Sequence, residues 1–208
     1  MKRIVARSAL LYLPSSMLND RSSILSFLET RRSAKPRELI GRGPTAAELE
    51  RILTIAARTP DHGKLQPWRF VIVDDDQRAS LATLLHQALA EHDTGATAAH
   101  HAKEEEFAHY PGQLVVLVSA PVANHKIPVW EQELSCGAAA MNLLHGANAL
   151  GYVAGLVTGW RTYSERVRQA FCESGQRIAG FIFIGKPGRE LDDRPRPELS
   201  DIVRNWQP

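Results

Sequence analysis

The sequence predicts a three-layer α/β or α+β sandwich, and three observations carry that expectation. Four short apolar runs have the length of strands: Arg69 to Val73, Leu114 to Ser119, Tyr152 to Val157 and Ala179 to Ile184. Stretches with helical spacing and recognisable caps separate them. The runs are continuously apolar instead of alternating, so both faces of the sheet are expected to be covered. The chain has 208 residues, 44% hydrophobic and 23% charged, which suffices for one substantial core.

The elements follow in order. Asp20 or Ser22 can cap a helix through Ile24, Leu25, Phe27 and Leu28 to about Thr30. Thr45 and Glu48 have the spacing of a capping box, and Leu49, Ile52, Leu53 and Ala56 follow at helical spacing. That helix should stop before Pro60. Asp76 can cap a helix through Leu81, Leu84, Leu85 and Leu89. Glu91 to Gly112 is polar, with His92, His100, His101 and His109, and reads as a mobile helix or lid. Glu131 to Leu150 is a long helix dense in small residues, with Gly151 as its stop. Its small-residue face suits either a dimer interface or close packing on the sheet. Ser164 to Phe171 is a short helix. Lys186 to Pro208, rich in Pro and Arg, reads as an extended tail.

Charge and composition bound the function. Lys plus Arg total 25 and Asp plus Glu 23, a net charge of only +2, which gives no reason to expect nucleic acid or an anionic membrane as partner. No apolar run approaches the roughly 20 residues of a membrane helix. Met1 to Asn19 holds Lys2, Arg3 and Arg7 before a short apolar stretch, Ala9 to Leu13. That stretch is shorter than a secretory core and ends at Pro14. Residues 1–21 therefore read as an N-terminal extension, with Met17 a candidate start, and residues 22–208 as the functional domain. Cys136 and Cys172 lack metal spacing and read as thiols in a reducing cytoplasm. The histidines form no HxxxH pair, and no metal is expected.

Four motifs present groups that can do chemistry. Arg31, Arg32, Ser33 and Lys35 place three cations and a hydroxyl within five residues, which suits a phosphate and a ribityl chain. Cations in the last turn of a helix are also favoured by its dipole alone. Arg58 to Trp68, stiffened by two prolines and a glycine, presents Arg58, His62 and Lys64 on a loop between helix and strand. Asn124 to Glu133 reads as a solvated loop opening the long helix. Arg194 and Arg196 lie two apart on an extended chain and point the same way, suited to a phosphate or simply part of a basic tail. A glycine-rich nucleotide fingerprint is absent, so a bound nucleotide would be gripped by side-chain cations.

Taken in this order, Arg31-Arg32-Ser33, Pro60-Asp61-His62 with Gln66-Pro67-Trp68, the run Asn124-His125-Lys126-Ile127-Pro128-Val129-Trp130-Glu131-Gln132-Glu133, and Gly151 to Gly159 resemble the flavin-dependent nitroreductase family, especially its small bacterial NAD(P)H nitroreductases. The resemblance spans about Ser22 to Pro187. It implies an α+β homodimer with two interface FMN sites. It also implies a central mixed sheet of four to five strands flanked by helices, and a C-terminal extension onto the partner subunit.

By position, Arg31, Arg32 and Ser33 would meet the FMN phosphate and ribityl chain, and Lys35 the flavin ring. Arg58 and His62 would reach FMN from the other subunit. Leu156, Val157, Thr158 and Gly159 would run along the flavin, and Arg194 and Arg196 would meet the phosphate. Gly146 to Gly151 matches a nicotinamide-nucleotide contact. Close relatives carry Trp-Arg-Ser-Gly where this chain has Leu156-Val157-Thr158-Gly159, so an indole and a cation are missing beside the flavin, with Trp160 and Arg161 as candidate substitutes. The implied activity is ping-pong hydride transfer from NADH or NADPH through FMN to nitroaromatic, quinone or similar small acceptors, with Lys35 stabilising the reduced ring. Other expectations on the same scaffold are dehalogenation, enone reduction or non-catalytic flavin binding.

Overall fold

The computed structural model describes Pro14 and residues 17–207. Most of the expected N-terminal extension therefore lies outside the described residues. The chain divides into two compact units: one holds the residues up to Arg32 together with those from Glu190 on, the other Ser33–Arg189.

In the smaller unit, α1 (Ile24–Thr30) starts at Ser23, whose side chain accepts from Ser26 N–H. Asp20 instead accepts from the backbone and hydroxyl of Ser22, so the cap is neither expected candidate but the residue after Ser22. The tail, expected to be extended, contains a short helix, α8 (Leu199–Ile202).

The larger unit is built on a sheet around β5 (Arg177–Pro187). β3 (Gln113–Ser119) pairs with it from Gln113 opposite Ile184 to Ser119 opposite Arg177, with a register shift between Leu117 and Val118. β2 (Trp68–Val73) pairs with β3 from Trp68 opposite Ser119 to Val73 opposite Leu114. β4 (Val153–Val157) pairs with β5, Val153 opposite Gly185. A two-residue strand not foreseen from the sequence, β1 (Leu39–Ile40), pairs with its far end, Leu39 opposite Pro187. Each of these pairings is antiparallel.

The three layers follow from the alternation of side chains along a strand. On one face, Val115, Leu117, Ile182 and Ile184 pack with Leu49, Ile52 and Ala56 of α2 (Ala46–Ala57) and Ala139, Leu143 and Ala147 of α5 (Val129–Ala149). α2 begins at the expected capping box of Thr45 and Glu48. On the other face, Phe181 and Phe183 meet Phe107 edge-on, at 5.4 and 5.3 Å between ring centroids. Phe107 lies on α4 (Ala98–Ala108), which forms a hairpin with α3 (Arg78–His92). A 3-10 turn capped by Asp74 and Gln77 precedes α3, so Asp76 is not its cap.

The polar segment expected to be a mobile helix or lid contains a capped helix whose apolar end, Phe107 and Ala108, is buried. Arg78, itself buried, fastens that end by donating to the carbonyls of Ala108 (3.1 Å) and Gly112 (2.8 Å). Beyond β4 come α6 (Trp160–Tyr163) and α7 (Glu165–Phe171). Among the described residues no helix is long and apolar enough to cross a membrane.

Candidate cofactor site

In the smaller unit the chain gathers guanidinium groups from its two ends. Arg32 is held by Asn19, which accepts from its N–H at 2.8 Å and donates to its carbonyl at 3.1 Å. The Arg32 Nε donates to the Asp192 carbonyl at 2.7 Å, and Arg196 donates to the Arg31 carbonyl and to Asp193, each at 3.3 Å. Residues 160 positions apart thus share one neighbourhood. Burial, and then the charges of Arg196, Arg32 and Arg194, pull the Arg31 guanidinium below its ordinary value. Burial, Arg196 and Arg194 do the same to Arg32, opposed by Asp193 and Asp192. Four expected phosphate ligands, Arg31, Arg32, Arg194 and Arg196, therefore form one repelling cluster, whose repulsion a bound anion would relieve.

In the larger unit, Ser33 to Lys35 run beside β4. The Ala34 N–H donates to the Ala154 carbonyl at 3.2 Å. Gly155 makes this approach possible, because a Cβ there would run into the Ala34 carbonyl oxygen. Two expected segments, Ser33–Lys35 and Leu156–Gly159, are thereby brought together. Leu156 and Thr158 are exposed and Val157 half-buried. Gly159 turns the chain at φ +110°, ψ −167°, a conformation open essentially to glycine alone. Lys35 is exposed and pairs with Glu38, Nζ to Oε1 3.3 Å.

Arg58 and His62 sit on the stiff loop after α2, where Lys64 and Gln66 adopt positive φ without being glycine. The Arg58 side chain is exposed. His62 Nδ1 lies 2.9 Å from Glu131 Oε2 at the start of α5, so two motifs read separately from the sequence meet. Sequence reasoning missed the residue that organises this end. Buried Gln132 accepts from Val122 N–H at 2.8 Å and donates to the carbonyls of Val122 and Ile127 at 3.2 and 3.0 Å, clamping the loop before α5. Its place one residue after Glu131 in the quoted motif was the available signal.

Trp160 and Arg161, the candidate substitutes, both meet the α3–α4 hairpin. Arg161 forms a two-point ion pair with buried Glu104 of α4, at 2.5 and 2.7 Å, and lies 3.9 Å over the Phe107 ring. Trp160 stacks on His92 with centroids 5.0 Å apart. A cavity of about 510 Å³ opens beside them, lined by Leu89, His92, Asp93, Lys103, Trp160 and Arg161 among others.

The layered α+β fold is that of a nitroreductase-type oxidoreductase: residues 28–186 match the model of the Nitroreductase family, and the chain belongs to that family. It is 34% identical over 164 residues to the Escherichia coli K12 protein named "Putative NAD(P)H nitroreductase YdjA", covering 78% of this chain and 87% of that one. Its fold is similar to that of a nitroreductase-like family protein from Bacillus cereus, with TM-score 0.75 and 19% identity over 90% of this chain and 97% of the other. It is also similar to a variant of the FMN and NADPH-dependent nitroreductase NfnB from Sphigopyxis sp. strain HMH. There the TM-score is 0.64 and the identity 19%, over 86% of this chain and 96% of the other.

Proposed function

We propose that the protein is an FMN-dependent NAD(P)H oxidoreductase that works as a homodimer and reduces nitroaromatic, quinone or similar small organic acceptors. The observation that carries this reading is the cluster of Arg31, Arg32, Arg194 and Arg196, four like charges held together in one compact unit. Asp193 and Asp192 offset part of that charge, and the cluster suits a phosphate, which guanidinium groups meet in planar, two-point fashion.

FMN, when bound, supplies the hydride chemistry; the chain supplies grip, orientation and charge. The four arginines hold the phosphate and Ser33 the ribityl chain. Lys35 sets an ammonium beside the ring, where reduction deposits negative charge. Leu156 to Gly159 lie along the flavin. Arg58 and His62 reach it from a second copy of the chain. Support for that second copy comes from the outer face of α5, where Trp130 is 61% and Leu134 64% exposed. The coenzyme relation of the neighbouring NADPH-dependent enzyme supports NAD(P)H as donor. Two free cysteines fit a reducing cytoplasm.

The test is the double variant Arg32→Ala with Arg196→Ala. It is expected to purify folded but without flavin. Stoichiometric FMN in that variant would disprove the phosphate assignment.

A further inference from the structure

The α3–α4 hairpin carries a string of imidazoles that the flavin chemistry does not use. His86 of α3 faces His101 and Glu105 of α4. Its Nδ1 lies 3.0 Å from Nδ1 of His101, and its Nε2 lies 2.9 Å from Glu105 Oε2. The two rings are 5.1 Å apart and tilted by 36°. Glu105 also meets His109, Nδ1 to Oε1 3.3 Å. The His86 side chain is 33% exposed and that of Glu105 54%, so protons from solvent reach the seam.

Counting donors fixes what the seam tolerates. Glu105 accepts, so the Nε2 of His86 carries hydrogen. Neutral His86 then offers a bare Nδ1 that accepts from the Nδ1–H of His101. One added proton leaves this pattern intact, because it can sit on the Nε2 of His101, and Glu105 balances the charge. A second added proton places N–H donors on both Nδ1 atoms, facing each other with no acceptor between them.

The surroundings supply little further compensation. On α4, Glu104 is engaged by Arg161 of α6, His109 shares Glu105, and Lys103 and Glu106 are exposed. On α3, Glu91 is engaged by Arg166 of α7, and Arg78 binds backbone carbonyls. At the far end of the hairpin, His100 lies 3.8 Å from Asp93, and His92 stacks on Trp160.

We propose that His86 and His101 form an acid-operated latch, which holds the first half of α4 against α3 with no or one added proton and releases it when both imidazoles are charged. The leverage falls on that half because Ala98, Ala99, His100, Ala102 and Lys103 are exposed there, whereas Phe107 and Ala108 are buried at the other end. The open hairpin binds one more proton than the closed one. Closure is therefore favoured as pH rises, and opening as it falls.

The test is hydrogen exchange of the backbone amides of residues 98–105 in the whole protein, corrected for the intrinsic pH dependence of exchange. Between about pH 7.5 and about pH 5, protection is expected to fall roughly tenfold or more. His101→Asn keeps an N–H donor toward His86 but cannot titrate, and is expected to abolish the response. Unchanged protection in the native protein, or an equal response in the variant, would overturn the latch. Imidazole NMR of the native protein gives a second reading that does not depend on the variant folding. His86 and His101 are expected to take up protons in two separate steps, with protection lost at the second. Loss at the first step, or simultaneous independent uptake, also refutes it.

Discussion

At the scale of single residues, the positions with the sharpest consequences are those where charge or space leaves no alternative. Lys35, exposed, already has a carboxylate neighbour in Glu38, at 3.3 Å. Such a pair contributes little to stability, so Lys35→Ala should leave folding and FMN occupancy nearly unchanged. It should slow flavin reduction by NAD(P)H about tenfold or more if the ammonium stabilises developing charge. Stopped-flow rates equal to those of the native protein would remove Lys35 from the mechanism. Gly155→Ala sets a methyl group against the Ala34 carbonyl and should cost more than about 2 kcal/mol in urea unfolding. A fully stable variant would show that Ser33–Lys35 is not seated on β4 as described. Burial pushes the Cys136 thiol up to about 11, so in the folded protein it should resist alkylation at mildly alkaline pH.

At the scale of elements, α4 and α6 are joined by the Glu104–Arg161 pair, with side chains only 5% and 15% exposed. Removing one partner strands the other charge, and Glu104→Ala should cost about 3–5 kcal/mol, measured by denaturant unfolding. Within α7, Arg168 and then Gln169 hold the exposed Glu165 carboxyl down to about 2. Because the folded value is depressed, the contribution of Glu165 to stability is present above the ordinary carboxylate range. It is lost as pH falls from about 4.5 toward about 2. Glu165→Gln should flatten that part of the acid unfolding curve, and an unchanged slope would contradict the pairing.

How far these elements were legible follows from the range of the forces that make them. Capping boxes, apolar runs and the glycine stop of α5 are local, and Thr45–Glu48 and Gly151 read correctly from sequence. The β1 strand is two residues long and exists only because β5 continues past β4 to meet it. The Glu104–Arg161 pair spans 57 positions, and nothing near either residue announces the other. The polar stretch around residue 100 reads from sequence only as a mobile helix or lid, because its apolar residues are few. It packs through one aromatic residue, Phe107, set among Phe181 and Phe183, and is held further by Arg78 and by the Glu104–Arg161 pair.

At the scale of the whole molecule, the site has to be assembled from segments far apart in the chain. Arg31 and Arg32 were each legible as cations, as were Arg194 and Arg196. That all four gather in one unit is a consequence of the fold, and their order along the chain was informative only through the family resemblance. His62 meets Glu131 of α5 within the chain, and a second copy enters the proposal through the family resemblance and the exposed Trp130 and Leu134. Leu134→Arg on the outer face of α5 should leave the protomer folded, convert a dimer to a monomer in sedimentation and lower FMN affinity with it. A dimer that survives would place the interface elsewhere.

The most direct measurement is the absorption spectrum of the purified protein, taken before and after NADPH is added without oxygen. A yellow protein carrying one FMN per chain, bleached on addition of NADPH, is the expected result. A colourless protein that takes up no FMN on titration, or a bound flavin that neither NADH nor NADPH can bleach, would contradict the account.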